Sequence, residues 1–133
     1  MADDLIKLDK WNDIAKLNKG GGLVMPFVQE LFLLECEIAG TGFVKDIEKE
    51  AQSLPTGTVV SLVREANNKY DNLAIRIDNA AGKKLGYVPR RKNEILARLL
   101  DGGKILYGKV VNVEFAEFSN WVTITVKIYM KDL

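Results

Sequence analysis

The chain contains no histidine among its 133 residues, and this absence removes more chemistry than any other feature of its composition. Without an imidazole there is no histidine general acid or base near neutral pH and no histidine metal ligand. One cysteine, Cys36, cannot form an internal disulfide or a structural zinc site. No Gly-x-x-x-x-Gly-Lys-Ser/Thr stretch occurs, so no phosphate loop for ATP hydrolysis is encoded. No apolar run nears the roughly 18 residues that cross a bilayer. The N-terminus, Met1-Ala2-Asp3-Asp4, is acidic and lacks the basic region of a secretory signal. Together with the single cysteine, this points to a reducing, cytoplasmic setting.

What remains is the composition of a folded domain, with 47% apolar and 28% charged residues over a length suited to one core. The formal charge of +1 hides a segregation. Residues 60–110 hold eleven cations against five acids, a local charge of +6, while the flanking segments are acidic. A polyanion responds to local field rather than to net charge, so this block is the natural place to look for nucleic-acid contacts.

Residues 3–18 read as an amphipathic helix, with Leu5, Leu8, Trp11, Ile14, Ala15 and Leu17 at helical intervals and Asp3 or Asp4 as cap. Asn18-Lys19-Gly20-Gly21-Gly22 ends it as a flexible joint, dividing the chain into an extension, 1–22, and a domain, 23–133. Residues 31–38 form a strand with Phe32, Leu34, Cys36 and Ile38 on one face, which makes Cys36 a buried thiol. A helix over 43–53 turns Ile47, Ala51 and Leu54 inward and stops at Pro55. Strands follow at 58–64, 73–77 and 84–88, the last two joined through Asp78-Asn79-Ala80-Ala81-Gly82. In the middle one, Leu73, Ile75 and Ile77 share a face opposite Ala74, Arg76 and Asp78. A second helix, 91–101, points Ile95, Leu96, Leu99 and Leu100 inward. Strands at 104–115 and 121–130 complete the pattern, the last placing Val122, Ile124, Val126 and Ile128 inward and Trp121 and Tyr129 outward. The fold class is therefore α+β: a small, mainly antiparallel, six-stranded curled sheet or barrel with two inserted helices and an N-terminal helical extension.

One region combines rings, an acid and cations. The turn Glu65-Ala66-Asn67-Asn68-Lys69-Tyr70-Asp71-Asn72 places a ring beside a carboxylate, and Leu85-Gly86-Tyr87-Val88-Pro89-Arg90 adds a second ring before the cations Arg90, Arg91 and Lys92. Single strands are held by rings that stack on bases and cations that follow phosphates. The candidate binding residues are Asn67, Asn68, Tyr70, Asp71, Tyr87, Arg90, Arg91, Lys92 and Trp121, with Phe118 as a further ring and Lys69 and Arg64 as further phosphate partners. Asp71 accepts hydrogen bonds only, so it suits a terminal hydroxyl and repels a phosphate. Each residue also has a structural role open to it: Asn67, Asn68 and Asp71 shape turns, and Tyr87 packs.

The segments Val60–Glu65, Asn67–Ile77, Leu85–Arg90 and Ile95–Leu100 together resemble a HIRAN domain, with the likeness spanning about residues 31–130. The resemblance implies an OB-like fold and a DNA-maintenance role. Family members occur fused to helicase-like ATPases or as free-standing bacterial proteins, and the best understood bind the 3′ end of single-stranded DNA. The ATPase belongs to the fused relatives, so this chain is expected to bind DNA without being an enzyme and without a cofactor. Where end-binding members carry an Arg-Tyr pair, this chain has Ile38-Ala39 before Gly40-Thr41-Gly42. Two other readings stand beside this one. Residues 3–18 would suit docking on a protein partner or self-association. Glu65, Asp71 and Asp78 are the carboxylates from which a metal-dependent nuclease could be built, although their spacing does not demand it.

Overall fold

The computed structural model describes residues 29–119 and 121–132. The helix expected over 3–18, the glycine joint and the boundary at residue 22 lie outside the described residues. In chain order the elements are β1 (Gln29–Glu37), a 3-10 turn (Thr41–Phe43), α1 (Ile47–Gln52), β2 (Val59–Arg64), β3 (Ile75–Asp78), β4 (Lys84–Tyr87), α2 (Arg90–Asp101), β5 (Ile105–Phe115) and β6 (Val122–Asp132). The six strands form one sheet in the order β1-β6-β5-β2-β3-β4, antiparallel at every step.

The sheet curls until its two ends touch. Just past β1, the Ala39 N–H donates to the Tyr87 carbonyl at 2.7 Å, and the Tyr87 N–H returns a bond to the Ala39 carbonyl at 2.9 Å. Gly86 permits this approach. A Cβ there would stand 2.4 Å from the Ala39 carbonyl oxygen and 2.5 Å from Ile38 Cγ2, distances no side chain tolerates.

Inside the curl sits one apolar core. The period-2 alternation of β6 sends Val122, Ile124, Val126 and Ile128 into it. They meet Val60, Ile75, Ile77, Leu85 and Val110 from the sheet, Leu96 and Ala97 from α2, and Ile47, Ala51 and Leu54 from α1 and its exit. Each Val, Leu or Ile among them contributes roughly 1.5–3 kcal/mol on leaving water. Cys36 is buried among them, and burial pushes its thiol up to about 11, consistent with an inert packing role.

Three local expectations are corrected. Phe32 does not share the inner face of β1: the pairing with β6 slips between Phe32 and Leu34, so Leu34 lies opposite Ile128 while Phe32 lies opposite Tyr129 on the outer face. The helix expected from residue 43 begins at Ile47, because the chain passes through a separate 3-10 turn and then Asp46 in a left-handed conformation (φ 60°). Ile95 lies on the exposed side of α2, at 59% accessibility, and the inner face there is made by Asn93, Leu96 and Ala97. On β3, Asp78 is buried, and its charge is met by Arg76, whose Nε and Nη2 donate to the two carboxylate oxygens at 2.8 and 3.0 Å.

Candidate nucleic-acid interface

The closure at Ala39 and Tyr87 positions the site. It carries the chain after β1 across the end of β4, beside the turn between β2 and β3 and the first turn of α2. Between them lies a cavity of about 420 Å³. Tyr70, Asp71, Tyr87 and Arg90 line it together with Asn68, Lys84, Phe43, Ala39 and Gly40.

Asn68 shapes the turn that presents Tyr70 and Asp71. Its Oδ1 accepts from the N–H groups of both, at 2.9 and 3.1 Å, while its Nδ2 donates to Glu65 at 3.1 Å. Tyr70 is left 74% exposed, with Lys69 Nζ 5.1 Å from its ring centre. Asp71 is held from two sides. Its Oδ1 accepts from the Leu73 N–H at 2.9 Å, and its Oδ2 accepts from Asn93 Nδ2 at 2.8 Å. These bonds, with Arg90 Nε at 3.8 Å, hold its carboxyl below the usual range, so it is an ionised acceptor at neutral pH. Arg90 in turn donates to the Tyr70 carbonyl at 3.1 Å and leaves the rest of its guanidinium exposed.

Tyr87 is fixed at its far end. Its hydroxyl donates to Glu65 Oε1 at 2.9 Å, and Arg76 Nη1 donates to Glu65 Oε2 at 2.9 Å. Burial pushes the Tyr87 hydroxyl up, and the bond to Glu65 adds to this, so it stays protonated. The Lys84 ammonium sits 4.7 Å from the ring centre. Burial alone would raise Glu65, but the bonds from Asn68, Tyr87 and Arg76 outweigh it and hold this carboxyl low.

The remaining sequence candidates fall elsewhere. Asn67 lies in a separate depression with Arg64, Glu65 and Ala66. Arg91 and Lys92 face a groove shared with Leu34, Glu94, Ile95 and Arg98, and Lys92 Nζ donates to the Glu35 carbonyl at 2.8 Å. Arg64 is committed to Asp101, with Nε 3.0 Å from Oδ1. Phe118 is exposed in the loop between β5 and β6. Trp121 lies outside the cavity, and its ring packs within 3.2 Å of where a side chain on Gly42 would begin. It supports the 3-10 turn rather than the cavity wall. Glu65 and Asp78 clasp Arg76 between them instead of facing a shared cation position. Among the described residues, no group of three acidic or sulfur ligands is placed to hold a metal. No helix of the described residues is long and apolar enough to cross a membrane.

Phe43 and Lys84 are a ring and a cation in the lining that the sequence pattern did not mark as candidates. Phe43 stands on the 3-10 turn with 95% of its surface exposed. The turn is pinned by the Thr41 hydroxyl, which donates to the Val122 carbonyl at 2.8 Å in the core. Only the long-range bridge between Ala39 and Tyr87 brings this ring to the cavity, so no local signal could have found it.

A curled six-stranded antiparallel sheet, with a ring-lined cavity where its ends meet, defines a small OB-like module. The HIRAN domain model matches residues 31–131, and the chain belongs to the HIRAN domain family. No catalytic family is indicated. Among solved structures, the chain is similar to a protein from Lactobacillus plantarum, with 28% identity and a TM-score of 0.71 over 80% of this chain and 99% of that one. It is also similar in fold to the HIRAN domain of human HLTF, with 20% identity and a TM-score of 0.59 over 77% of this chain and 79% of that one. No curated protein matches the chain.

Proposed function

We propose that this chain binds single-stranded DNA and holds the terminal nucleotide of its 3′ end in the cavity between the β2–β3 turn, β4 and α2. The observation that carries this reading is the convergence of Tyr70, Asp71, Tyr87 and Arg90 on one cavity. Membership of a family whose best understood members hold DNA ends supports it.

Each group has a distinct part. Tyr70 and Tyr87 offer ring faces to bases, an interaction worth roughly 1–3 kcal/mol per base. Arg90 and Lys84 supply cations to the phosphates that follow the terminal nucleotide. Asp71 has roughly four lone-pair directions, two of them taken by Leu73 and Asn93, and it accepts the terminal hydroxyl with what remains. A phosphate in the same place would meet a fixed negative charge, which is how one acid in a cationic cavity selects an end. The family's Arg-Tyr pair is replaced here by Ile38-Ala39, and Phe43 and Lys84 return a ring and a cation to the same rim.

Fluorescence anisotropy at low salt, with a 5′-labelled oligothymidine bearing either a free 3′-hydroxyl or a 3′-phosphate, tests the reading. The hydroxyl form binds more tightly, and the phosphate costs roughly tenfold in affinity. Equal affinities would remove the end-selecting role of Asp71. No anisotropy change at tens of micromolar protein would remove DNA binding altogether.

A further inference from the structure

The outer face of β1, β6 and β5 carries a row of rings that the cavity does not use. Phe32 lies opposite Tyr129, and Tyr129 opposite Tyr107, so the three stand side by side across three strands. Tyr129 and Phe32 meet edge to face with centres 5.9 Å apart, and Tyr129 and Tyr107 lie nearly parallel at 5.8 Å. Lysine ammoniums cover this row. Lys127 Nζ is 5.8 Å from the Phe32 centre, Lys109 Nζ is 5.0 Å from that of Tyr129, and Lys131 Nζ is 5.5 Å from that of Tyr107.

None of this follows from building a core, because the rings point away from it. The slip in pairing after Phe32 is what brings the third ring outward, and it leaves that ring 55% exposed. Three acids of β1 border the patch. Glu30 binds Lys109 Nζ at 3.0 Å through both carboxylate oxygens, and Glu35 lies opposite Lys127 in the ladder. Glu37, opposite Thr125, is the third, but among the described residues only Lys109 of the three lysines is held in an ion pair, so the ammoniums of Lys127 and Lys131 remain available to a phosphate.

We propose that this face is a second binding site for single-stranded DNA, taking an internal stretch of the strand. Bases stack on Phe32, Tyr129 and Tyr107, while the ammoniums of Lys109, Lys127 and Lys131 move from the rings to the phosphates. Magnitudes favour this exchange. A cation over an exposed ring is worth roughly 0.5–1 kcal/mol, whereas a base on a ring is worth roughly 1–3 kcal/mol, and the displaced ammonium gains a phosphate. The site is separate from the cavity, since none of its rings or lysines lines that pocket.

The test uses the full chain with the cavity disabled by Phe43→Ala, Tyr70→Ala and Arg90→Ala, three highly exposed side chains and so removable without unfolding, which leaves Tyr87 as the one ring there. With an oligothymidine of about 12 nucleotides, this background retains salt-sensitive binding. Adding Phe32→Ala weakens that residual affinity by roughly 5- to 150-fold. Adding Lys127→Gln and Lys131→Gln instead lowers the slope of log affinity against log salt by about 1 to 1.5. In NMR spectra of the wild type, the ring resonances of Tyr107 and Tyr129 shift on titration with the same oligonucleotide. Loss of all binding in the cavity-deficient background would overturn the proposal while leaving the cavity reading intact, as would residual binding indifferent to Phe32 and the lysines. Ring resonances that move with protein concentration in the absence of DNA would make the face a contact between copies of this chain and overturn it equally.

Discussion

The hydroxyl of Tyr87 donates to Glu65 Oε1 at 2.9 Å, which ties a cavity ring on β4 to a carboxylate at the end of β2. Glu65 also receives Arg76 and Asn68, so one acid orders the ring, the β2–β3 turn and a half-buried ion pair together. Two substitutions separate the ring from its tether. Tyr87→Phe keeps the stacking surface and changes DNA affinity less than about threefold, whereas Tyr87→Ala loses roughly 5- to 150-fold. Glu65→Ala leaves several donors without their acceptor and costs about 1–3 kcal/mol of stability, measured by urea denaturation. An affinity loss in Tyr87→Phe as large as in Tyr87→Ala would make the hydroxyl, not the ring, the DNA contact.

Phe43 provides a cleaner test, because its side chain is almost wholly in solvent. Phe43→Ala leaves the thermal midpoint unchanged within about 2 °C, since exposed substitutions stay within roughly 0.5 kcal/mol. It weakens single-strand binding by about tenfold if the ring replaces the one absent at Ile38-Ala39. Unchanged affinity in anisotropy titrations would confine the stacking role to Tyr70 and Tyr87.

The sheet closure rests on Gly86, where a methyl group would run into the Ala39 carbonyl and Ile38. Gly86→Ala therefore forces the strand ends apart and destabilises at the upper end of the roughly 1–3 kcal/mol usual for overpacking. Because the same bridge carries Phe43 to the cavity, any folded fraction binds DNA more weakly than wild type. A urea midpoint equal to wild type would mean that the closure adjusts freely.

Sequence periodicity was enough for β6, whose inward residues are those its alternation names, and for the Tyr70-Asp71 turn, whose asparagine has one local job. It failed where the answer depends on register or on contacts distant along the chain. Period-2 counting places Phe32 with Cys36, but a slip of the ladder reverses that face and only the β6 partner reveals it. Arg90, Arg91 and Lys92 look alike as a basic run. On a helix of 3.6 residues per turn, neighbours diverge by roughly 100°, so only the first reaches the cavity.

Acid should act on the site through two carboxyls. The bonds from Leu73 and Asn93 hold Asp71 below its ordinary value of 3.8; at Glu65 burial opposes, but Asn68, Tyr87 and Arg76 prevail and hold it below 4.5. A carboxyl depressed by folding stabilises the protein above its unfolded value, and that contribution is lost as pH falls through the folded value. Stability is therefore flat from neutrality to about pH 5 with respect to these groups and declines below about pH 4.5. In Asp71→Asn the decline is shallower, as followed by urea midpoints across that range. An identical acid profile would mean that Asp71 keeps its ordinary pKa in the fold.

Arg90 and Arg91 give the sharpest contrast, because composition treats them as equivalent and the fold does not. Arg90 sits at the cavity with its guanidinium near Asp71 and bonded to the Tyr70 carbonyl, leaving further donors for a phosphate. Arg91 lies over the groove bounded by Leu34 and Ile95. Each phosphate contact on a single strand contributes roughly 0.7 to the slope of log affinity against log salt. Arg90→Ala should remove about that much and weaken binding, while Arg91→Ala leaves both slope and end preference near wild type. Salt titrations of the two variants with the same oligonucleotide measure the difference directly. If Arg91→Ala carries the larger loss, the strand follows the outer side of α2 and the cavity is not its anchor.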